Sequence, residues 1–209
     1  MGQRLLTEFI GTFFLVFTIV MAVSGKSTLA ALAIGSVLMV MVFAGGHVSG
    51  AHYNPAVTLA VWIRGRIETT AVAPYMIAQL LAATVAALLG NWVYPDNEAP
   101  DAFTGAAMGH AFMVEVLFTF ALAYVVLNAA TAKANDGNSF YGLAIGFTVL
   151  AGAISVGTVS GGAFNPAVAL GVSIASLSAW GSIWLLIVAD LIGGALAAAA
   201  FKYINPADR

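Results

Sequence analysis

Apolar residues fall in six long runs, at about 4–24, 28–46, 70–92, 108–130, 139–156 and 178–203. Each is long enough to cross a ~30 Å hydrocarbon core as a helix rising ~1.5 Å per residue. The polar positions collect in the breaks, which carry turn chemistry: Ser24-Gly25-Lys26-Ser27, Asn91 to Asp101 with Pro95 and Pro100, and Lys133 to Asn138 with Asp136-Gly137. Two more apolar runs, from Pro55 to about Ile63 and from Pro166 to about Ile174, are shorter. At roughly 8 to 10 residues they reach about half-way across a bilayer, so each predicts a half-helix.

Both half-helices open on one phrase. His47-Val-Ser-Gly-Ala-His-Tyr-Asn54-Pro55-Ala56-Val57 returns 111 positions later as Thr158-Val-Ser-Gly-Gly-Ala-Phe-Asn165-Pro166-Ala167-Val168. Small residues permit close backbone approach, Asn suits a helix N-cap, and Pro suits the first helical position. Glu8 and Glu115 open the first and fourth runs in matching places. The chain therefore reads as a single channel-sized domain, 1–209, built from two repeats, about 1–104 and 105–209. Three crossings separate the copies, so the repeats are inverted and their site falls at the midplane. The fold class expected is an all-α membrane bundle of six spanning helices and two re-entrant half-helices.

Composition narrows the class. Hydrophobic residues are 61% of the chain, charged residues 8%, and the mean hydropathy is +0.98, so too little polar material is present to coat a soluble globule. The net charge of −2 and the scattered seven Lys and Arg give no nucleic-acid surface. Cysteine is absent, which excludes disulfide and thiol chemistry. The first run, Leu5 to Val23, lacks a cleavage pattern and is read as a retained span. With the N-terminus cytoplasmic, Arg4, Arg64, Arg66, Lys133, Lys202 and Arg209 all lie inside and only Lys26 outside. The expected location is the plasma membrane of a microbe, with both termini cytoplasmic and lipid as the surrounding partner.

Non-helical backbone at membrane depth survives only when buried in protein or lining a wet cavity. The stretches Gly46 to Tyr53 and Gly157 to Phe164 thus imply a water-accessible path. Two half-helices meeting amino end to amino end aim two partial positive charges, each about +0.5, at that point, which repels cations and protons. Asn54 and Asn165 are expected to cap with their oxygens and turn their amide hydrogens to the passing molecule.

The doubled Asn-Pro-Ala, with Gly46 to Thr58, the Ala78-Gln79 segment and Ile192-Gly-Gly-Ala-Leu196, resembles the aquaporin or major intrinsic protein family over nearly the whole chain. The resemblance implies a right-handed bundle, a pore in each subunit and a homotetramer. It also implies a selectivity filter at Ile34, Ala153, Gly162 and Val168. Most water-selective relatives carry Arg where Val168 stands and His where Ala153 stands; some plant vacuolar members also carry Val. An apolar, wider ring predicts passage of glycerol, urea, ammonia, hydrogen peroxide and water, with ions excluded.

The remaining polar residues have two readings each. Glu8 and Glu115 fit a proton relay by the default for intramembrane carboxyls, but their symmetry favours accepting hydrogen bonds from the re-entrant loops, as the resemblance implies. His52 reads as a further loop brace. His47, placed near the inner pore by the resemblance, either lines the path or senses pH. His47 and His52 lack a third ligand, so no metal is expected; Asp96, Glu98 and Asp101 read as a solvated loop, and no cofactor is implied. The Phe9, Phe13, Phe14 and Phe17 face reads as packing or lipid contact, and Gly193-Gly194 as close helix approach. Asp190 replaces the proline or small residue that resembling proteins carry, and either tunes the pore or meets another subunit. The competing functions are an ion-coupled transporter, which needs a titrating midplane site, and a structural membrane protein with a vestigial pore. No nucleophile, base and orienter occur together, so an enzyme is not expected.

Overall fold

A computed structural model describes residues 1–208; Arg209, counted above among the basic residues, lies outside them. Six helices are long and apolar enough to span a membrane: α1 (Gly2–Ser24), α2 (Ala30–Ser49), α4 (Thr69–Val93), α5 (Gly105–Val126), α6 (Tyr141–Ser160) and α8 (Ile183–Ile204). Two are half as long, α3 (Pro55–Arg64) and α7 (Pro166–Ile174). A π-helical turn, Leu127–Thr131, prolongs α5, and a 3₁₀ turn, Trp180–Ser182, leads into α8. Six crossings bring the two termini to one end of the bundle.

The bundle is polar inside and apolar outside. Glu8, Thr12, Gln79, Glu115, Thr119 and Asp190 are fully buried, while Ile77, Leu88, Leu117, Ile154 and Leu196 project outward. Lipid gives apolar side chains no reason to turn inward, so association rests on close packing and internal hydrogen bonds. The helices pair chiefly as α5 with α8, α1 with α4, and α2 with α6. α2 and α6 cross at Gly35 and Gly146, 111 residues apart. A Cβ on Gly35 would stand 2.8 Å from the Gly146 carbonyl, and one on Gly146 would collide with the Gly35 carbonyl. The inverted repeats thus touch backbone to backbone across their pseudo-twofold axis. Gly193 and Gly194 admit the Val116 and Ala56 carbonyls, at 2.6 and 2.5 Å from the would-be Cβ positions.

Two boundaries differ from the sequence reading. α2 and α6 continue past 46 and 156 to Ser49 and Ser160, so the re-entrant loops begin at Gly50 and Gly161. Gly45 does not break the helix because its missing side chain makes room for the Tyr53 hydroxyl. The break falls instead where the chain turns left-handed, at φ +88 for Gly50 and +92 for Gly161.

Candidate functional site

The site begins with two helix caps. Asn54 is extended (φ −159°, ψ 121°), and its Oδ1 accepts from the amides of Ala56 at 2.8 Å and Val57 at 3.4 Å. Asn165 repeats this (φ −164°, ψ 116°), accepting from Ala167 at 2.9 Å and Val168 at 3.4 Å. Pro55 and Pro166 start the helices, where a missing N–H costs nothing. The residues before the caps, Tyr53 (φ +50) and Phe164 (φ +48), sit in the left-handed region that non-glycine residues avoid. That geometry needs outside support.

Two buried carboxylates supply it. Glu8 on α1 accepts through Oε1 from Ser49 Oγ (2.7 Å) and the His52 amide (3.0 Å), and through Oε2 from the Tyr53 amide (2.7 Å) and Gln79 Nε2 (2.8 Å). Glu115 on α5 accepts through Oε1 from Ser160 Oγ (2.5 Å) and the Ala163 amide (3.0 Å), and through Oε2 from the Phe164 amide (2.7 Å). The first half adds a neutral net that the second lacks. Gln79 also donates to Thr58 Oγ1 at 3.0 Å, Thr58 donates to the Asn54 carbonyl at 3.0 Å, and His52 Nδ1 lies 3.1 Å from the same hydroxyl. A hydroxyl has one hydrogen, so His52 Nδ1 is the donor and its Nε2 keeps a lone pair.

The caps also tie the halves together. Asn54 Nδ2 donates to the Phe164 carbonyl at 2.8 Å, and Asn165 Nδ2 to the Tyr53 carbonyl at 2.9 Å. This corrects the expectation that both amide hydrogens of each Asn face the permeant. One is consumed, because a carbonyl buried at this depth must find a donor. The other remains on each side chain.

Two cavities approach this junction from opposite ends. The larger, about 720 Å³, opens at the end away from the termini and is lined by Asn54, Asn165, Ile34, Ala153, Gly162 and Val168, among others. The smaller, about 540 Å³, opens at the end carrying the termini and is lined by His47, Arg66, Lys133, Asp136 and Tyr141. His52 and Val126 line both, so the cavities abut beside the first half-helix. The net attached to Glu8 went unread in the sequence: Ser49, Thr58 and Tyr75, whose hydroxyl donates to the Ser49 carbonyl at 2.9 Å, carry no special residue chemistry. The signal available was the 111-residue offset, which relates Ser49 to Ser160 and Gln79 to Asp190.

The outer ends of the half-helices are fastened differently. Beyond α3, Arg64 NH2 donates to Asp208 at 2.7 Å, Arg66 NH2 lies 3.3 Å from the same oxygen, and the Lys133 amide donates to Asp208 Oδ2 at 2.8 Å. The Lys133 amide, then the Arg64 guanidinium, hold the Asp208 carboxyl below its usual range. Arg64 also stacks over Phe201, 4.5 Å from the ring centre. At the end of α7 only neutral amides act. Asn91 donates to the Ile174 carbonyl at 2.8 Å and Asn97 to that of Ala175 at 3.1 Å.

Known proteins share this arrangement. The X-ray structure of the aquaglyceroporin from Plasmodium falciparum superimposes with a TM-score of 0.82 at 23% identity, over 99% of this chain and 98% of that one, which establishes the fold. Aquaporin NIP1-4 of Oryza sativa subsp. japonica is 35% identical over 97% of this chain and 77% of its own length. A probable aquaporin of TIP-type alpha from Phaseolus vulgaris is 39% identical over 86% of this chain and 71% of its own. The model of the major intrinsic protein family matches residues 1–201, and with these relatives it establishes that the chain belongs to that family.

Proposed function

We propose that this channel passes glycerol, urea, ammonia and hydrogen peroxide as well as water, through a filter formed by Ile34, Ala153, Gly162 and Val168. As a major intrinsic protein the chain is a passive channel for water and small neutral solutes, and the family is one of channels rather than enzymes. The observation that carries the finer reading is the lining of the larger cavity, where these four residues bring neither a charge nor a side-chain donor. Beyond them, Asn54 and Asn165 each present the amide hydrogen left over from the cross-tie, at the point where two helix amino ends meet. A neutral solute with an acceptor oxygen is served there, and a cation is repelled. His47 lines the inner mouth, and Glu8, Glu115 and His52 act as braces of the two loops. The repeats divide near residue 104, and the lipid-facing surface assembles as a homotetramer. Both termini are cytoplasmic, which Arg4, Arg64, Arg66, Lys133 and Lys202 at that end support.

The test is Val168→Arg in proteoliposomes, read by stopped-flow swelling. A guanidinium in the ring adds bulk and charge, so glycerol and urea flux falls about tenfold or more, the effect of raising the barrier by ~1.4 kcal/mol. Unchanged glycerol and urea flux removes Val168 from the filter. Flux that follows a proton or sodium gradient would instead indicate a coupled transporter.

A further inference from the structure

Asp190 on α8 holds the place that Gln79 holds on α4, the two standing 111 residues apart like the paired Asn. In the first half the Gln79 amide donates to Glu8 at 2.8 Å. In the second half the group that meets Glu115 is another carboxyl, in hydrogen-bonding contact with it. Asp190 is 0% exposed. Its Oδ1 accepts from Thr119 Oγ1 at 2.8 Å, while Oδ2 has no donor. The Asn165 backbone N–H faces the same carboxyl.

No cation balances the pair. α5 brings Glu115 itself, with His110 exposed at its start and Tyr124 further along. The ionisable side chain of α3 is Arg64, at its far end and engaged by Asp208. α7, the π turn and the 3₁₀ turn before α8 bring none, and on α8 itself Lys202 and Tyr203 lie at the end. A carboxylate oxygen buried without a donor, beside a second carboxylate, is the costliest arrangement such a site could take. A single proton removes both problems, since a hydrogen bond between two carboxyl groups requires one.

We propose that Asp190 is a neutral acid in the working protein, that its Oδ2–H donates to Glu115 in place of the glutamine amide of the first half, and that it thereby positions the loop bearing Asn165. Asp190 is a positioning residue, acting on the permeant through Glu115 and Asn165. The flux consequence rests on the channel reading; the protonation does not.

The test uses wild-type protein in lipid with ¹³C-labelled aspartate carboxyls. Of the five aspartates, Asp96, Asp101, Asp136 and Asp208 lie outside the membrane-spanning helices. Solid-state NMR at neutral pH should show one carboxyl carbon at the position of a protonated acid. The infrared spectrum of wild type minus Asp190→Asn should show the matching carbonyl band. Five ionised carboxyls, or a difference spectrum with only carboxylate bands, overturns the proposal. Asp190→Asn keeps a neutral donor and should retain flux within about twofold, whereas Asp190→Ala should lose about fivefold or more per reconstituted subunit. Asp190→Asn losing flux, or Asp190→Ala keeping it, overturns the positioning role. Wild type that passes no solute while the acid signal is present would sink the channel reading and leave the protonation standing.

Discussion

The two re-entrant loops reach nearly the same geometry with different surroundings. Both caps bond their half-helix amides at 2.8 or 2.9 Å and 3.4 Å, and both cross-ties measure 2.8 or 2.9 Å. Yet His52, Thr58, Tyr75 and Gln79 in the first half are replaced at the 111-residue offset by Ala163, Ala169, Leu186 and Asp190. Backbone geometry therefore follows from what the halves share: Asn-Pro, a left-handed residue before it, and a carboxylate accepting from the loop amides. The remaining side chains are free to diverge. The first half uses that freedom to present a polar wall, His52, where the cavities meet. The second presents apolar Val168 and Gly162.

The sharpest way to break this comparison is to remove each carboxylate. Glu8→Ala strands four buried donors, and breaking such a site costs on the order of 3–5 kcal/mol. Glu115→Ala strands three donors but also removes the contact with Asp190, so it should cost about 1 kcal/mol less. Thermal unfolding in detergent would register that difference as roughly 2–4 °C in Tm. Equal losses, or a larger one at Glu115, would mean that the carboxyl contact is no burden.

A smaller effect tests where the halves agree. Asn54→Ala and Asn165→Ala each delete a cap, worth about 1 kcal/mol, and leave one opposite carbonyl without its donor, worth about 1–2 kcal/mol more. The two variants should lose the same stability to within about 0.5 kcal/mol. They should also reduce solute flux alike. An asymmetric pair would show that the polar net around Thr58 supports its cap independently.

Much of this was open to reading in the chain itself. Six apolar runs and two Asn-Pro starts specify six spans and two half-helices because bilayer thickness and helix rise leave no other solution. What pattern could not give is partnership. Gly45 and Gly157 resemble breakers, yet the first makes room for Tyr53 and the second lines the larger cavity, and only contacts distinguish these uses from a turn. The cross-tie was hidden for a similar reason. It depends on the left-handed carbonyls of Tyr53 and Phe164 pointing at the opposite half, a fact of backbone direction that residue types do not encode. Asp190 was visible as an anomaly, but its partner is 75 residues away on another helix.

The smallest effect concerns the outer ends of the half-helices, where one is fastened by ions and the other by amides. The Asp208 carboxyl is held below its ordinary value of 3.8 by the Lys133 amide and by Arg64. A carboxyl that is more acidic folded than unfolded stabilises the fold above the unfolded value, and that contribution disappears as pH falls through the lower, folded value. The clamp at α3 is therefore intact at neutral pH and released only in strong acid, below about 3.8. Asn91 and Asn97 at α7 carry no titrating group, so that end is indifferent to pH. Asp208→Asn should lower Tm slightly at pH 7 and not at all at the acid limit, where wild type and variant converge. Because Arg66 is partly exposed, added salt should shrink the neutral-pH difference as well. A gap between the two proteins that persists unchanged into strong acid would show that Asp208 contributes by packing and not by charge, and the contrast between the two ends would then be one of shape alone.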